Sequence, residues 1–368
     1  MQRDEIMHSA NPLIEVKRFG QSIWLDNLSR TLLREGGLKR FIEEDGISGV
    51  TSNPAIFQKA FAESPYYKEE VAKLRQTSLT LEQRFETLAV PDVQAACDLL
   101  RPIWEQTHGA DGYVSLEVSP SLAALEQATV DAGQRLHQAV NRPNVLIKVP
   151  ATPQGVLAFE ALTAHGISVN VTLIFSLHHY MQVAEAYIRG LKRWVDGGGD
   201  PRQVKSVASI FLSRVDTLVD KRLDAIGSPE ALALRGKSAV SMCKLVYQRY
   251  KELFHGPLFA ELKTRGCRPQ NPLWASTGTK NANYSDVLYV DSLIGPETVN
   301  TIPDATLGFF RDHGKAAATV ESDIQPAQRD YLALEHLGIN MRDAGDELQV
   351  DGVKLFEEAF EKLLASLK

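Results

Sequence analysis

The sequence contains little cysteine, and its cysteines form no recognisable motif. Only three occur in 368 residues, Cys97, Cys243 and Cys267, an odd number at wide spacing. None belongs to a C-x-x-C pair, so neither a disulfide framework nor a structural zinc site is indicated. The sequence therefore predicts three free thiols, as is typical of a reducing cytoplasm.

Long apolar runs and an excess of basic charge are also missing. No run approaches the roughly 18 apolar residues that a membrane-spanning helix needs, and residues 1–8 lack the apolar core of a secretion signal. The net charge is −6, whereas a dedicated nucleic-acid or membrane-surface binder would be basic. We therefore expect a cytoplasmic protein without nucleic-acid or membrane partners, in which a local basic pocket could still bind a small anion.

Common cofactor and metal motifs are absent too. No G-x-G-x-x-G follows a strand pattern, and neither G-x-x-x-x-G-K-[ST] nor H-E-x-x-H occurs. The nine histidines show no spacing typical of metal ligands. We therefore expect neither a metal nor a cofactor.

What the sequence does contain is a regular alternation of short apolar runs and helical patterns. Eight runs are strand candidates: 22–26, 47–53, 113–118, 144–150, 167–173, 206–211, 272–276 and 299–302. Strands separated by helices indicate βαβ units and a parallel sheet. Eight such units favour a closed (β/α)8 TIM barrel over an open sheet.

The length exceeds that of a plain barrel, which averages about 250 residues. Residues 54–112 leave room for more than one extra helix, and the tail after His313 is long. Apolar residues from Val353 to Leu367 repeat at helical spacing, which predicts an amphipathic helix packed on the barrel. The polar stretch 321–330 is interpreted as a connecting loop. Because no linker separates two units, residues 1–368 are predicted to form one domain.

Polar residues interrupt or end nearly every predicted strand. They are Asp26, Asn53, Glu117, Lys148, Asn170, Thr172, Ser209 and Ser276. Buried parallel strands are normally continuously apolar, and a TIM barrel carries its active site at the C-terminal strand ends. These residues are therefore predicted to share one site, although any one of them could belong to a structural pair.

Lys148 is the most informative of these residues. It lies inside an apolar strand pattern and is expected to point into the barrel. Desolvation favours a neutral amine, the form that a Schiff-base nucleophile requires. A buried structural pair with Asp26 or Glu117 is the alternative, and this strand alone does not decide between them.

Two loops could bind an anion. Arg214 lies in the segment after the sixth strand candidate, and Ser276 and Lys280 lie at and after the seventh. Hydroxyls, glycine backbone and one cation from each loop could bind a phosphate, as is common near strands seven and eight of TIM barrels. Alternatively, Arg214 could form a helix salt bridge with Asp216 or a nearby acid, and Lys280 could be a solvated loop lysine.

Five segments together resemble the transaldolase family. They are G-V-T-S-N-P at 49–54, S-L-E-V at 115–118, I-K-V-P-A-T at 147–152, N-V-T-L-I-F-S at 170–176 and W-A-S at 274–276. The resemblance runs from about residue 20 to the end. A-S-T-G-T-K-N at 275–281 and L-Y-V-D-S-L-I-G-P at 288–296 resemble the larger bacterial form.

The resemblance implies a metal-free class I transferase of the pentose phosphate pathway. Such an enzyme reversibly moves a dihydroxyacetone unit from sedoheptulose 7-phosphate to glyceraldehyde 3-phosphate, giving erythrose 4-phosphate and fructose 6-phosphate. Its partners would be sugar phosphates, and the chain would be a monomer or a homodimer.

The resemblance also implies a role for each candidate residue. It makes Lys148 the Schiff-base lysine and Asp26 the acid/base at the C4 hydroxyl. Glu117 and Thr172 would hold a catalytic water. The implied substrate ligands are Asn53, Asn170 and Ser209 for the dihydroxyacetone hydroxyls, and Arg214 and Ser276 for phosphate. Many family members have S-F-R-N after strand seven, so Lys280 in its longer loop would replace that arginine.

Two other functions remain open from the sequence. A class I aldolase of the fructose 6-phosphate type could use the same lysine and release free dihydroxyacetone. A barrel that has lost its activity could serve as a sugar-phosphate sensor, although the lysine, the acids and the asparagines are all present.

Overall fold

The structure is a computed structural model that describes residues 11–368. The segment 1–8, expected to carry no secretion signal, lies outside the described residues. Among the helices described, none combines the length and the apolar character that crossing a membrane would require. Cys97, Cys243 and Cys267 are buried free thiols, as predicted.

Eight parallel strands close into a barrel in chain order, which confirms the predicted (β/α)8 fold. They are β1 Gln21–Leu25, β2 Gly49–Val50, β3 Tyr113–Glu117, β4 Val145–Pro150, β5 Val169–Ile174, β6 Ser206–Phe211, β7 Asn271–Ala275 and β8 Thr298–Ile302. Each strand coincides with one of the predicted runs. The boundaries differ by at most two residues, except at β2, which is shorter than its run.

Helices surround the barrel and account for the extra length. Those before β4 are α1 Pro12–Glu15, α2 Arg30–Arg34, α3 Gly37–Asp45, α4 Pro54–Glu63, α5 Lys68–Leu74, α6 Leu81–Gln106 and α7 Glu126–Val140. Between β4 and β7 lie α8 Pro153–Ala164, α9 Leu177–Asp196, α10 Ser213–Ile226, α11 Pro229–Leu232, α12 Ser238–Phe254 and α13 Pro257–Thr264. The last are α14 Leu288–Asp291, α15 Asp304–His313, α16 Ile324–His336 and α17 Met341–Ser366. Short 3-10 turns cover Val16–Phe19, Pro65–Tyr67 and Pro120–Leu122.

The loop predicted at 321–330 was wrong for most of its length, because α16 begins at Ile324. The segment is mostly polar, but α16 has a narrow apolar face on which Ala327 and Leu334, two turns apart, are buried. Pro326 does not prevent the helix, since the backbone nitrogens of a first turn have no intrahelical partner.

The middle of the barrel is filled by Trp24, which is 1% exposed. Gly49 lies opposite it in the register between β1 and β2. A Cβ on Gly49 would come within 2.5 Å of the indole ring, so only glycine leaves room for it. The indole nitrogen donates to Asp111 Oδ1 at 2.8 Å on the N-terminal side. Trp24 therefore packs inside the barrel, below its C-terminal end.

The predicted C-terminal amphipathic helix is confirmed as α17, which packs on α4, α6, α9, α10 and β5. Phe360 makes an edge-on contact with Phe85 of α6, with ring centroids 5.4 Å apart. Gly345 lies against Ser176, where a Cβ would be only 2.7 Å from the serine Cβ. The helix therefore lies directly against the rim of the barrel.

Candidate active site

A cavity of about 340 Å³ opens at the C-terminal end of the barrel, below α17. Seven of the predicted site residues line it: Asp26, Asn53, Lys148, Thr172, Ser209, Arg214 and Ser276. Further lining residues are Thr51, Ala55, Phe211, Ala275, Thr301, Leu355, Phe356 and Ala359. The structure therefore brings together side chains that are widely separated in the sequence.

Lys148 reaches the cavity from β4 and is 4% exposed. Its Nζ donates to the Ser52 carbonyl at 3.1 Å and lies 3.5 Å from Glu117 Oε2. The ring of Phe356, on α17, lies 5.8 Å from the same nitrogen. A buried amine with one carboxylate nearby and one open side can meet a ligand in the cavity.

Glu117 ends β3 directly beside Lys148 in the strand register. Burial raises the pKa of its carboxyl to about 7, although the Lys148 charge acts to lower it. Its Oε2 has no hydrogen-bond partner among residues 11–368, because 3.5 Å is long for a hydrogen bond. Glu117 can therefore both give and accept a proton near neutral pH.

Asp26 follows β1 and is held by two threonines. Thr51 donates to Asp26 Oδ1 at 2.7 Å, and Thr51 shares a 2.6 Å hydrogen bond with Thr301. Since the Thr51 hydrogen is used for Asp26, Thr301 donates to Thr51. Burial raises the pKa of Asp26 above its ordinary value, opposed by the Lys148 charge and the Thr51 hydrogen bond. The carboxylate is therefore a stronger base than a solvated aspartate.

Thr172 lies at an irregular point of β5. The pairing of β5 with β6 shifts register between Val171 and Ile174, and Leu173 adopts φ 60°, which is unusual for a residue other than glycine. Thr172 Oγ1 is buried without a hydrogen-bond partner among the described residues. Its hydroxyl is thus available to a molecule in the cavity.

Asn170 is fully buried and is not among the residues that line the cavity. Ser209 donates to its Oδ1 at 2.6 Å, and its Nδ2 donates to Ser115 Oγ at 3.0 Å. It lies beside Lys148 in the register of β4 and β5. Asn170 therefore orients Ser209, which does line the cavity.

Asn53 also has a structural task, because its Oδ1 accepts from the Ile56 nitrogen and caps α4.

Arg214 and Ser276, the residues expected to bind phosphate, both line the cavity. Arg214 makes no salt bridge with Asp216, the alternative left open by the sequence. Its Nη1 is buried without a partner in the described chain, and its guanidinium lies 5.7 Å from the Phe211 ring. Ser276, at φ 56°, shares a 2.7 Å hydrogen bond with Ser213. One cation and one hydroxyl therefore line the same cavity, where an anion could meet both.

Lys280 is not brought to this cavity. It is exposed and lines a neighbouring cavity of about 320 Å³ together with Asp216, Asp220 and Asp224. Three carboxylates against two lysines, Lys280 and Lys221, make that cavity a poor place for a phosphate. The proposed contact of Lys280 with substrate stays a prediction.

Several residues of the cavity were not predicted from the sequence, namely Thr51, Thr301 and Phe356. Thr51 belongs to the T-S-N-P segment, but a threonine in a strand carries no special signal. Phe356 was predicted as part of an amphipathic helix, and periodicity does not say which part of the barrel that helix covers.

Among residues 11–368, no three His, Cys, Asp or Glu side chains are grouped to hold a metal ion.

The chain is similar to known proteins over nearly its whole length. The family described as Transaldolase/Fructose-6-phosphate aldolase matches residues 23–367. A protein named transaldolase from Thiobacillus denitrificans is 53% identical over 96% of this chain and 98% of its own length. Transaldolases from Neisseria gonorrhoeae and Mycobacterium marinum are 49% and 45% identical, over 96% and 97% of this chain and 99% and 97% of their own lengths.

The raised pKa of Glu117 predicts a pH-dependent cost to stability. The folded chain holds this proton up to about pH 7, whereas the ordinary glutamate pKa is 4.5. Stability is therefore lost as the pH rises between these values, and Glu117→Gln should escape that loss. Urea unfolding at pH 5 and pH 8 should show the wild type losing on the order of 2 kcal/mol relative to the variant.

The control for this experiment is Thr172→Val, which removes an uncharged polar group from the cavity next to Glu117. Its stability relative to the wild type should stay constant across the same pH range. If the difference between the wild type and Glu117→Gln is also constant, the pKa of Glu117 is not raised.

Proposed function

Because the chain belongs to the transaldolase/fructose-6-phosphate aldolase family, we propose that it acts as a transaldolase through an imine on Lys148. The observation that carries this proposal is the buried Lys148 amine, with Glu117 at 3.5 Å, in the cavity that Asp26 also lines. The proposed reaction moves dihydroxyacetone reversibly from sedoheptulose 7-phosphate to glyceraldehyde 3-phosphate. Erythrose 4-phosphate and fructose 6-phosphate are the products, which places the reaction in the pentose phosphate pathway.

The first step is attack of the Lys148 amine, after it has passed a proton to Glu117, on the C2 carbonyl of the donor sugar. A carbinolamine forms and loses water to give a protonated imine, which withdraws electrons from the C3–C4 bond. Glu117 lies 3.5 Å from the amine and Thr172 lines the same cavity as Lys148, and together they would hold the water that leaves and later returns. A carboxyl with a pKa of about 7 suits this exchange, because it can lend a proton to the departing hydroxyl and take it back.

The second step is cleavage of the C3–C4 bond. Asp26 would accept the proton of the C4 hydroxyl, the C4 carbonyl would form, and the bonding electrons would move into the imine to leave an enamine. The aldehyde product then departs, and the enamine carbon attacks the acceptor aldehyde while Asp26 returns its proton. The raised pKa of Asp26 supports this role as a base.

The remaining residues would bind the substrate. We assign Asn53 and Ser209 to the dihydroxyacetone hydroxyls and Arg214 with Ser276 to the phosphate. The buried Nη1 of Arg214 has no protein acceptor in residues 11–368, which supports its use by an anionic ligand. Asn170 would act from behind by orienting the Ser209 hydroxyl.

Transfer is favoured over an aldolase reaction, since the similar proteins are named transaldolases. The same names favour an enzyme over a non-catalytic sensor. We further propose one domain for residues 1–368, because a single buried core joins the barrel with α17. A cytoplasmic location is supported by the free thiols, and the choice between monomer and homodimer stays open to measurement.

Reduction with borohydride in the presence of fructose 6-phosphate should attach the sugar carbon chain to Lys148. Peptide mapping offers an internal control in Lys205, another buried lysine whose pKa burial lowers to about 8. Lys205 precedes β6, at the opposite end of the barrel, and should carry no adduct. Lys148→Met should reduce transfer by on the order of a thousandfold or more. An adduct on another lysine, or none, would exclude the proposed imine.

An acceptor aldehyde should be required for turnover. With fructose 6-phosphate alone, free dihydroxyacetone should stay near the blank, whereas adding erythrose 4-phosphate should give sedoheptulose 7-phosphate. The donor fragment is then released to the acceptor and not to water. Steady production of free dihydroxyacetone without acceptor, at the rate of transfer, would instead identify an aldolase.

Arg214→Ala should raise the KM for phosphorylated sugars by roughly ten- to a hundredfold, as expected for loss of a charge-assisted hydrogen bond. Unphosphorylated fructose should respond much less, because it lacks the anion. Lys280→Ala is the matched comparison on the neighbouring loop. A similar rise for Lys280→Ala would place this lysine on the phosphate, and equal effects of Arg214→Ala on both sugars would remove Arg214 from it.

A further inference from the structure

We propose that Gln349, on α17, is a positioning residue that holds the end of β5 so that the Thr172 hydroxyl faces the cavity beside Lys148. The inference rests on the water-handling role proposed for Thr172. It concerns a side chain far from the barrel strands in sequence, and one that touches no reacting atom.

Gln349 joins the ends of two neighbouring strands. The side chain is 8% exposed, and its Nε2 donates to the Ala151 carbonyl at 2.8 Å and to the Leu173 carbonyl at 3.1 Å. Ala151 directly follows β4, three residues after Lys148, and its own nitrogen donates to the Thr172 carbonyl at 2.7 Å. Both amide hydrogens of Gln349 therefore hold the backbone that carries Lys148 and Thr172.

The backbone that Gln349 holds is the irregular part of β5. Leu173 has φ 60°, a conformation that L-residues avoid and that persists only where the surroundings enforce it. The regular pairing with β6 is interrupted between Val171 and Ile174, so the Leu173 carbonyl needs a donor from elsewhere. Gln349 supplies it, and a relaxed β5 would turn the neighbouring Thr172 side chain away from its present direction.

The close packing of α17 on the barrel explains how Gln349 reaches these carbonyls. Gly345 lies against Ser176, and Gly352 lies against Leu173, where added Cβ atoms would come within 2.7 and 3.1 Å of side-chain atoms. His179 and Asp346 form a 2.8 Å contact that fixes the same part of the helix to α9. This close approach places the amide of Gln349 over the two strand ends.

A double-mutant cycle of Gln349→Met with Thr172→Val separates positioning from general support. Methionine keeps the length and volume of glutamine but has no hydrogen to donate. The readout is the single-turnover rate at which fructose 6-phosphate becomes reducible by borohydride on Lys148. We expect Gln349→Met to slow this step at least tenfold in the wild-type background and less than twofold when Thr172 is already valine.

Gln21→Met is the matched control, because Gln21 is also a buried amide with two acceptors. Its Nε2 donates to the Leu293 carbonyl at 2.8 Å and to Thr298 Oγ1 at 2.9 Å. It should lower the melting temperature without slowing imine formation. If Gln349→Met does not fold, Gln349→Asn in the same cycle keeps the donors but withdraws them by one methylene.

Three results would count against the proposals, and they are distinguishable. Equal rate losses from Gln349→Met in both backgrounds would overturn positioning through Thr172. An unchanged rate in Gln349→Met, with a lowered melting temperature, would make Gln349 a purely structural contact. If Thr172→Val alone forms the imine at the wild-type rate, the role proposed for Thr172 in the reaction fails before Gln349 is considered.

Discussion

The buried amine of Lys148 is the constraint on which the rest of this end of the barrel depends. Taking an ammonium group out of water costs several kcal/mol unless nearby groups compensate. The direct polar contacts from the described residues are few: one carbonyl, from Ser52, and one carboxylate, Glu117, at 3.5 Å. The Phe356 ring, not another polar group, covers a further side. Such an environment leaves one side of the amine open to a neutral carbonyl compound in the cavity, because its one ion pair within residues 11–368, with Glu117, is long.

The pKa values of the two carboxyl groups near Lys148 are raised because the site has too little positive charge for both. Asp26 and Glu117 both feel the Lys148 charge, yet burial dominates and the pKa of each is raised. One buried cation cannot offset two buried anions, so at least one carboxyl holds its proton more tightly than in water. Thr51 gives Asp26 a hydrogen bond, whereas Glu117 Oε2 receives none in the described chain. Asp26 is therefore suited to accept a proton, whereas Glu117 is suited to exchange one near pH 7.

The sequence predicted most of this arrangement because the barrel repeats one local rule. A buried parallel strand is apolar, so each polar residue within an apolar run points to the site, and seven of the ten proposed residues do line the cavity. Glu117 and Asn170 lie immediately behind it. Lys280 was also predicted at the site but lies outside the cavity, because the path of a loop is not encoded in strand periodicity. The same limit applies to Phe356 and Gln349, whose positions depend on how a helix almost two hundred residues after β4 packs on the rim.

Irregular backbone at the rim explains why distant elements matter for the chemistry. Leu173 and Ser276 both have positive φ, and each lies at or beside a side chain that lines the cavity. A barrel built only of regular strands would aim alternate side chains along fixed directions. Departing from that pattern costs energy, and groups outside the strands offset it: Gln349 at Leu173, and Ser213 at Ser276 through side-chain and backbone hydrogen bonds. The strands thus determine which residues reach the site, while the helices that follow them determine the directions in which those residues point.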